Sequence, residues 1–214
     1  MNELTAIDIL IDPDDSAIQR AHEWNARMRE SVPDGFELDA THRPHITTLH
    51  RYLRTTELHH AYDAVEQTLA GTDVAALFYH AVAIRHADFG IAGQGLAALV
   101  LEPSPQVFDF QAALLAAVTP FAGSGGTTGA FVTDPGETIN ESTFNWIEKF
   151  VPAQIGTGKY ISHITVGLAT LEDLKRIEAE PFDRFAVHPA GLAVYHLGNY
   201  GTARKKLKTW TLTR

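Results

Sequence analysis

The chain has 214 residues, a formal charge of −9, 45% hydrophobic and 20% charged residues, and no cysteine. These values suit a folded protein with a real core and exclude disulfides, thiolate metal sites and a cysteine nucleophile. The acidic balance argues against tracking long nucleic acids, which requires many cations to displace counterions, and no apolar run reaches membrane-spanning length.

Leu4 to Ile11 reads as a first strand, ended by the turn-forming Asp12-Pro13-Asp14-Asp15. Asp15 or Ser16 would cap a helix to about Ser31, and Pro33-Asp34-Gly35 breaks it. A strand is expected from His45 to Leu53, then a helix opened by Thr55-Thr56-Glu57 and closed after Ala70 by Gly71. Stretches 75–87 and 95–101 read as a hairpin turning around Asp88-Phe89-Gly90, and Ser104-Pro105 starts a third helix that ends before Pro120. Residues 121–157, rich in Gly, Ser and Thr, read as a long loop whose Phe144, Trp146 and Phe150 could wall or cover a site. A strand from Tyr160 to Ala169 follows, then a helix opened by Thr170 and stopped by Pro181, then strands at 184–187, 191–197 and 206–213. Both halves thus run motif strand, short helix, strand pair. That order predicts an α+β chain, one bilobal domain over residues 1–214, with two similar lobes sharing a cleft.

The tripeptide His45-Ile46-Thr47 recurs as His163-Ile164-Thr165, each time in a strand-like run. Period-two geometry puts the imidazole and hydroxyl of each copy on one face. On the first motif strand alternation groups His45, Thr47, Leu49 and Arg51 on one face, with Ile46, Thr48, His50 and Tyr52 opposite. Either copy alone is a chance-level pattern in a chain with 11 histidines; the pair in matched settings is not. Two histidines and two threonines on one cleft can supply acid–base chemistry on a phosphate ester without a metal.

With two such motifs about a hundred residues apart, on matching strands of a bilobal α+β chain, the sequence resembles the 2H phosphoesterase superfamily. That superfamily includes RNA 2′,3′-cyclic phosphodiesterases, also called 2′-5′ RNA ligases. The setting Arg43-Pro44-His45-Ile46-Thr47 is typical of its first motif, while Thr48 stands where the family favours an apolar residue, as Val166 does in the second. The resemblance implies a pseudo-two-fold fold with antiparallel sheets around a central cleft and helices outside. It also implies opening of a 2′,3′-cyclic phosphate to a 2′-phosphomonoester, with His45 and His163 as acid and base in an order left open. Thr47 and Thr165 would hold the non-bridging oxygens, and the reverse 2′-5′ joining would use the same groups.

Arg43, Arg51 and Lys159 are the nearest cations for a phosphate, and Tyr160, Tyr200 or Trp146 could stack on a base. The cluster Arg204-Lys205-Lys206-Lys208 reads as a solvated face, with help to a phosphate as the other reading. His42-x-x-His45 and His59-His60 hint at a metal hydrolase but lack clustered carboxylates at ligand spacing, so no metal or cofactor is expected. Gly123 to Gly129 lacks the Gly-Lys-Ser/Thr ending of a phosphate loop. The expected ligand is a small cyclic phosphate, a nucleotide or an RNA terminus, bound by a monomer. With no basic leader at Met1-Asn2-Glu3-Leu4, a cytoplasmic address is the expectation. A non-catalytic module that binds nucleotides or RNA ends on the same fold is the alternative, and a partner-binding protein with coincidental motifs is a third.

Overall fold

The computed structural model describes residues 3–39, 42–88 and 90–212. Phe89 at the expected hairpin turn, Thr213 at the expected end of the last strand, and Met1 and Asn2 lie outside the described residues. In chain order the main elements are β1 (Leu4–Pro13), α1 (Asp15–Ser31), β2 (Ile46–Arg54), α2 (Leu58–Ala70), β3 (Tyr79–Asp88), β4 (Gln94–Pro103) and α3 (Pro105–Val118). Then come α4 (Glu141–Gln154), β5 (His163–Thr170), α5 (Leu171–Glu178), β6 (Phe185–Val187), β7 (Pro189–Leu197) and β8 (Ala203–Thr211).

Local chemistry sets most boundaries. Asp14, rather than Asp15 or Ser16, caps α1 by accepting from the Ala17 amide at 3.0 Å. The buried stripe of α1, Ala17, Ala21, Asn25 and Met28, follows the helical period. Thr170 caps α5 by accepting from the Asp173 amide. The segment read as a loop at 121–157 contains α4, opened by Asn140, whose side chain accepts from the Ser142 amide. Its Thr143, Ile147 and Phe150 are buried at spacings of four and three, a short stripe masked in the sequence by flanking Gly- and Thr-rich stretches.

Two four-stranded sheets, both antiparallel, run in the orders β2-β1-β7-β8 and β5-β4-β3-β6. The fold is α+β, as expected, but the lobes are not the halves of the chain. The strand pair following the first motif, β3 and β4, builds the sheet of the second. β7, with β8, returns to build the sheet of the first. Hydrophobic periodicity reports which face of a strand is buried and says nothing about which strand lies beside it.

The faces of β1 and β2 that carry Ile7, Ile9, Ile11, Ile46, Leu49 and Leu53 join one core with residues of the second sheet and of α1, α2, α3 and α5. The opposite face of the first sheet carries Ala6, Tyr52 and Leu197, which are covered by Phe131, Ile139 and Ile147 from the central excursion. That excursion is therefore a wall seated on one end of the first sheet. Each motif strand is the outer strand of its sheet, and β2 and β5 contact each other. Tyr160 ties them: its hydroxyl donates to the Thr47 carbonyl at 2.7 Å.

Candidate active site

Both motif strands break register at the fourth motif residue. Ile9 pairs with Leu49 and Leu10 with Thr47, so Thr48 is an extra residue in β2. Ala97 pairs with Gly167 and Ala98 with Thr165, so Val166 is the extra residue in β5. Each is a β-bulge, which bends its strand and re-aims the side chains before it. The carbonyl freed at each bulge accepts from a buried carboxamide. Gln111 Nε2 of α3 donates to Thr48 O at 3.0 Å, and Asn25 Nδ2 of α1 donates to Val166 O at 2.9 Å. Thr48 thus sits at a bulge, where the strand's alternation no longer dictates an apolar residue, although its buried hydroxyl has no aligned hydrogen-bond partner among the described residues.

The first bulge changes the faces read from alternation. His50 pairs with Asp8 and Thr47 with Leu10, and Asp8 and Leu10 share a face of β1, so Thr47 and His50 lie together rather than opposite. Arg51 pairs with Ile7, a core residue, and lies on the other face. The cations that register places on the motif faces are different ones. His50, Asp8, Tyr195 and Lys206 form one row across β2, β1, β7 and β8, with Lys206 Nζ 5.6 Å from the Tyr195 ring centre. Thr165, Ala98 and Arg85 form a row across β5, β4 and β3.

His45 and His163 are held in the same way. Each Nδ1 lies close to the carbonyl two residues earlier, Arg43 O at 2.8 Å and Ile161 O at 2.9 Å. A carbonyl can only accept, so Nδ1 carries the proton in each ring and the neutral imidazole keeps its lone pair on Nε2. Among the described residues, neither Nε2 has a protein hydrogen-bond partner. The His45 and His50 imidazoles and the Asp8 carboxylate are within electrostatic reach of His163. Burial chiefly, with those two imidazoles adding, holds the His163 pKa below the ordinary histidine value, against the pull of the Ile161 carbonyl and Asp8.

Asp8 was not anticipated, although a lone acid amid the apolar run Leu4 to Ile11 was a visible signal. It is fully buried and accepts from the Thr47 hydroxyl at 2.9 Å, with His50 Nε2 3.3 Å from the same oxygen. Its second oxygen and both His50 nitrogens lack an aligned partner among the described residues. His50 sits under the wall, 4.9 Å from the Phe150 ring centre and edge-on to Trp146 at 6.4 Å. Thr165 is half-buried, and among the described residues its hydroxyl has no partner.

The remaining expected contacts divide. Trp146 and Tyr200 are exposed aromatics, and Trp146 borders His50. Tyr160 is occupied as the tie between the motif strands, and burial raises its phenol pKa, which keeps the hydroxyl a donor. Arg43 and Lys159 have exposed side chains; the part Arg43 plays here is its carbonyl. Among the described residues, no three His, Asp or Glu side chains are grouped to hold a metal ion.

No family model matches the chain, and no curated protein matches it. The chain is similar to solved structures. E. coli LigT complexed with 3′-AMP is 13% identical over 99% of both chains, with a TM-score of 0.48. A structure described as a phosphoesterase is 11% identical over 99% of this chain and 100% of that one, with a TM-score of 0.44. Kluyveromyces marxianus Usb1 with uridine monophosphate is 11% identical over 97% of this chain and 99% of that one, with a TM-score of 0.48.

Proposed function

We propose that this site hydrolyses 2′,3′-cyclic phosphates of small nucleotides or RNA ends to 2′-phosphomonoesters by paired histidine catalysis. The observation that carries the proposal is the matched pair of imidazoles, each with Nδ1 committed to a backbone carbonyl and Nε2 left to react. Fixing the tautomer this way prepares one ring to take a proton and the other to give one. The lowered pKa of His163 supports assigning it as the neutral partner. Its Nε2 would take a proton from water as the water oxygen attacks phosphorus. The bond from phosphorus to O3′ would break, and His45, entering the cycle as the imidazolium with a proton on each nitrogen, would deliver its Nε2 proton to O3′ and be left neutral. The choice of O3′ as leaving oxygen follows the superfamily resemblance. With an RNA 5′-hydroxyl attacking phosphorus in place of water, the same transfers would break the bond to O3′ and join the two ends through O2′. Strain in the five-membered ring lowers the demand on the catalyst, so the cycle is written without a metal. Trp146 and Tyr200, both exposed, are the candidates to stack on a base.

The test is incubation with a nucleoside 2′,3′-cyclic phosphate, with product read by phosphorus NMR. His45→Ala and His163→Ala should each remove most turnover while melting at the unmodified temperature, and EDTA should leave the rate unchanged. Saturable binding without turnover would favour the non-catalytic module. Loss on chelation, restored by zinc or manganese, would favour a metal hydrolase.

A further inference from the structure

The two motifs match in sequence, in bulge, in carboxamide support and in imidazole anchoring, but they differ at the threonines. A hydroxyl has one proton to donate. Thr47 gives its proton to Asp8 Oδ2 at 2.9 Å. Thr165 pairs with Ala98, whose side chain offers no acceptor, and its hydroxyl has no partner among the described residues.

From this difference we infer that Asp8 makes the motifs chemically unequal. Thr165 donates to the bound phosphate, whereas Thr47 presents lone pairs that accept from the attacking water or a ribose hydroxyl. The inference rests on the site's holding a phosphate, as proposed above.

Two observations support the division. Asp8 is fully buried, and a buried carboxylate must keep its donors. Turning the Thr47 proton toward a phosphate oxygen would leave Oδ2 only the unaligned His50 contact at 3.3 Å, with Oδ1 already lacking a protein partner. Asp8 also places a carboxylate beside Thr47, which repels an anion there and favours seating the phosphate against Thr165 and the histidines. Asp8 is thus a positioning residue: it acts through Thr47, and by its charge on His163, and does not itself meet the substrate.

The experiment compares Thr47→Ala, Thr165→Ala, Asp8→Asn and the Asp8→Asn/Thr47→Ala double variant. Affinities for inorganic phosphate and for 2′-AMP are measured by calorimetry, and kcat and KM with a nucleoside 2′,3′-cyclic phosphate. Thr165→Ala should weaken both ligands by about ten- to a hundredfold, the loss of one donor to a charged acceptor. Thr47→Ala should change affinity by less than about threefold while kcat falls by about tenfold or more, with KM nearly unmoved. Asp8→Asn should lower kcat as Thr47→Ala does, and the double variant should be no slower than either single one, because both remove the same arrangement.

Equal weakening of phosphate by the two threonine variants would overturn the inference, as would fully multiplicative losses in the double variant. If Asp8→Asn fails to fold, the comparison of the threonines in the native background still decides. An unmodified chain that binds phosphate but turns over no cyclic nucleotide would refute the proposed hydrolysis, and the phosphate titrations would still test the inequality. Failure to bind either ligand would overturn the inference and the phosphate-binding reading together.

Discussion

Gln111→Leu keeps most of the side-chain volume and deletes the support under the first bulge. Gln111 is fully buried and makes three bonds to backbone: Nε2 to Thr48 O at 3.0 Å and to Gln154 O at 3.1 Å, and Oε1 from Gly156 N at 3.0 Å. The Thr48 carbonyl lies in a buried pairing and would lose its partner outright, at about 2 kcal/mol. The Gln154 and Gly156 groups are only part-buried and can recover water, so about 0.5 kcal/mol each is appropriate. The better burial of leucine offsets under about 1 kcal/mol. The net loss is about 2–3 kcal/mol, a fall in Tm of roughly 4–12 °C for a domain of this size. Urea unfolding at constant m-value, with thermal melting as the check, measures it. Asn25→Leu, which strands Val166 O, Phe36 O and Leu38 N, should lose a comparable amount. A change below about 1 kcal/mol in Gln111→Leu would refute the idea that the bulge depends on this carboxamide.

Three further outcomes follow from the same geometry. Because the proposed mechanism uses His163 as a neutral base and burial lowers its pKa, the acid limb of kcat/KM should have its midpoint below about 6.5; Asp8→Asn, which removes a charge that favours the protonated ring, should move it lower still. The linked stability term has the same sign: the unfolded chain takes the proton first, so the contribution of His163 is full above about pH 6.5 and is lost as pH falls through its folded pKa. An NMR titration placing His163 above that value would contradict both. Gly167→Ala should destabilise by at least about 2 kcal/mol in urea unfolding, because φ is +145° and a new Cβ would lie 2.8 Å from Met28 Cβ on α1; a neutral result would mean α1 does not press on β5 as described. With a mononucleotide substrate, kcat/KM should fall less than about threefold between 50 and 300 mM salt, since the proposed site would make few phosphate contacts; a steep fall with a preference for long RNA would show a wider electrostatic footprint.

The paired tripeptides were legible because their content is local. An imidazole and a hydroxyl two residues apart on a strand share a face whatever the rest of the chain does. Strand and helix positions were legible for the same reason, through the turn Asp12-Pro13-Asp14-Asp15, Thr170, Ser104-Pro105 and the apolar runs that bound β1, β4 and β7, although the α1 cap fell one residue earlier than the sequence suggested. Asp8 also stood in plain view as an acid in an apolar strand, but its partner lay 39 residues away and the strand alone could not name it.

Tertiary structure decided what depends on register and pairing. One extra residue at Thr48 moved His50 onto the face of Thr47 and left Arg51 on the core side, because side chains alternate with a period of two and a bulge shifts the count by one. It made Tyr160 a tie between strands, supplied Gln111 and Asn25 from separate helices to matched carbonyls, and exchanged strand pairs between the lobes. Above all, it made two identical tripeptides unequal. The sequence carries His-Ile-Thr twice, but only one threonine meets a buried carboxylate, and that contact exists only once β1 and β2 have paired.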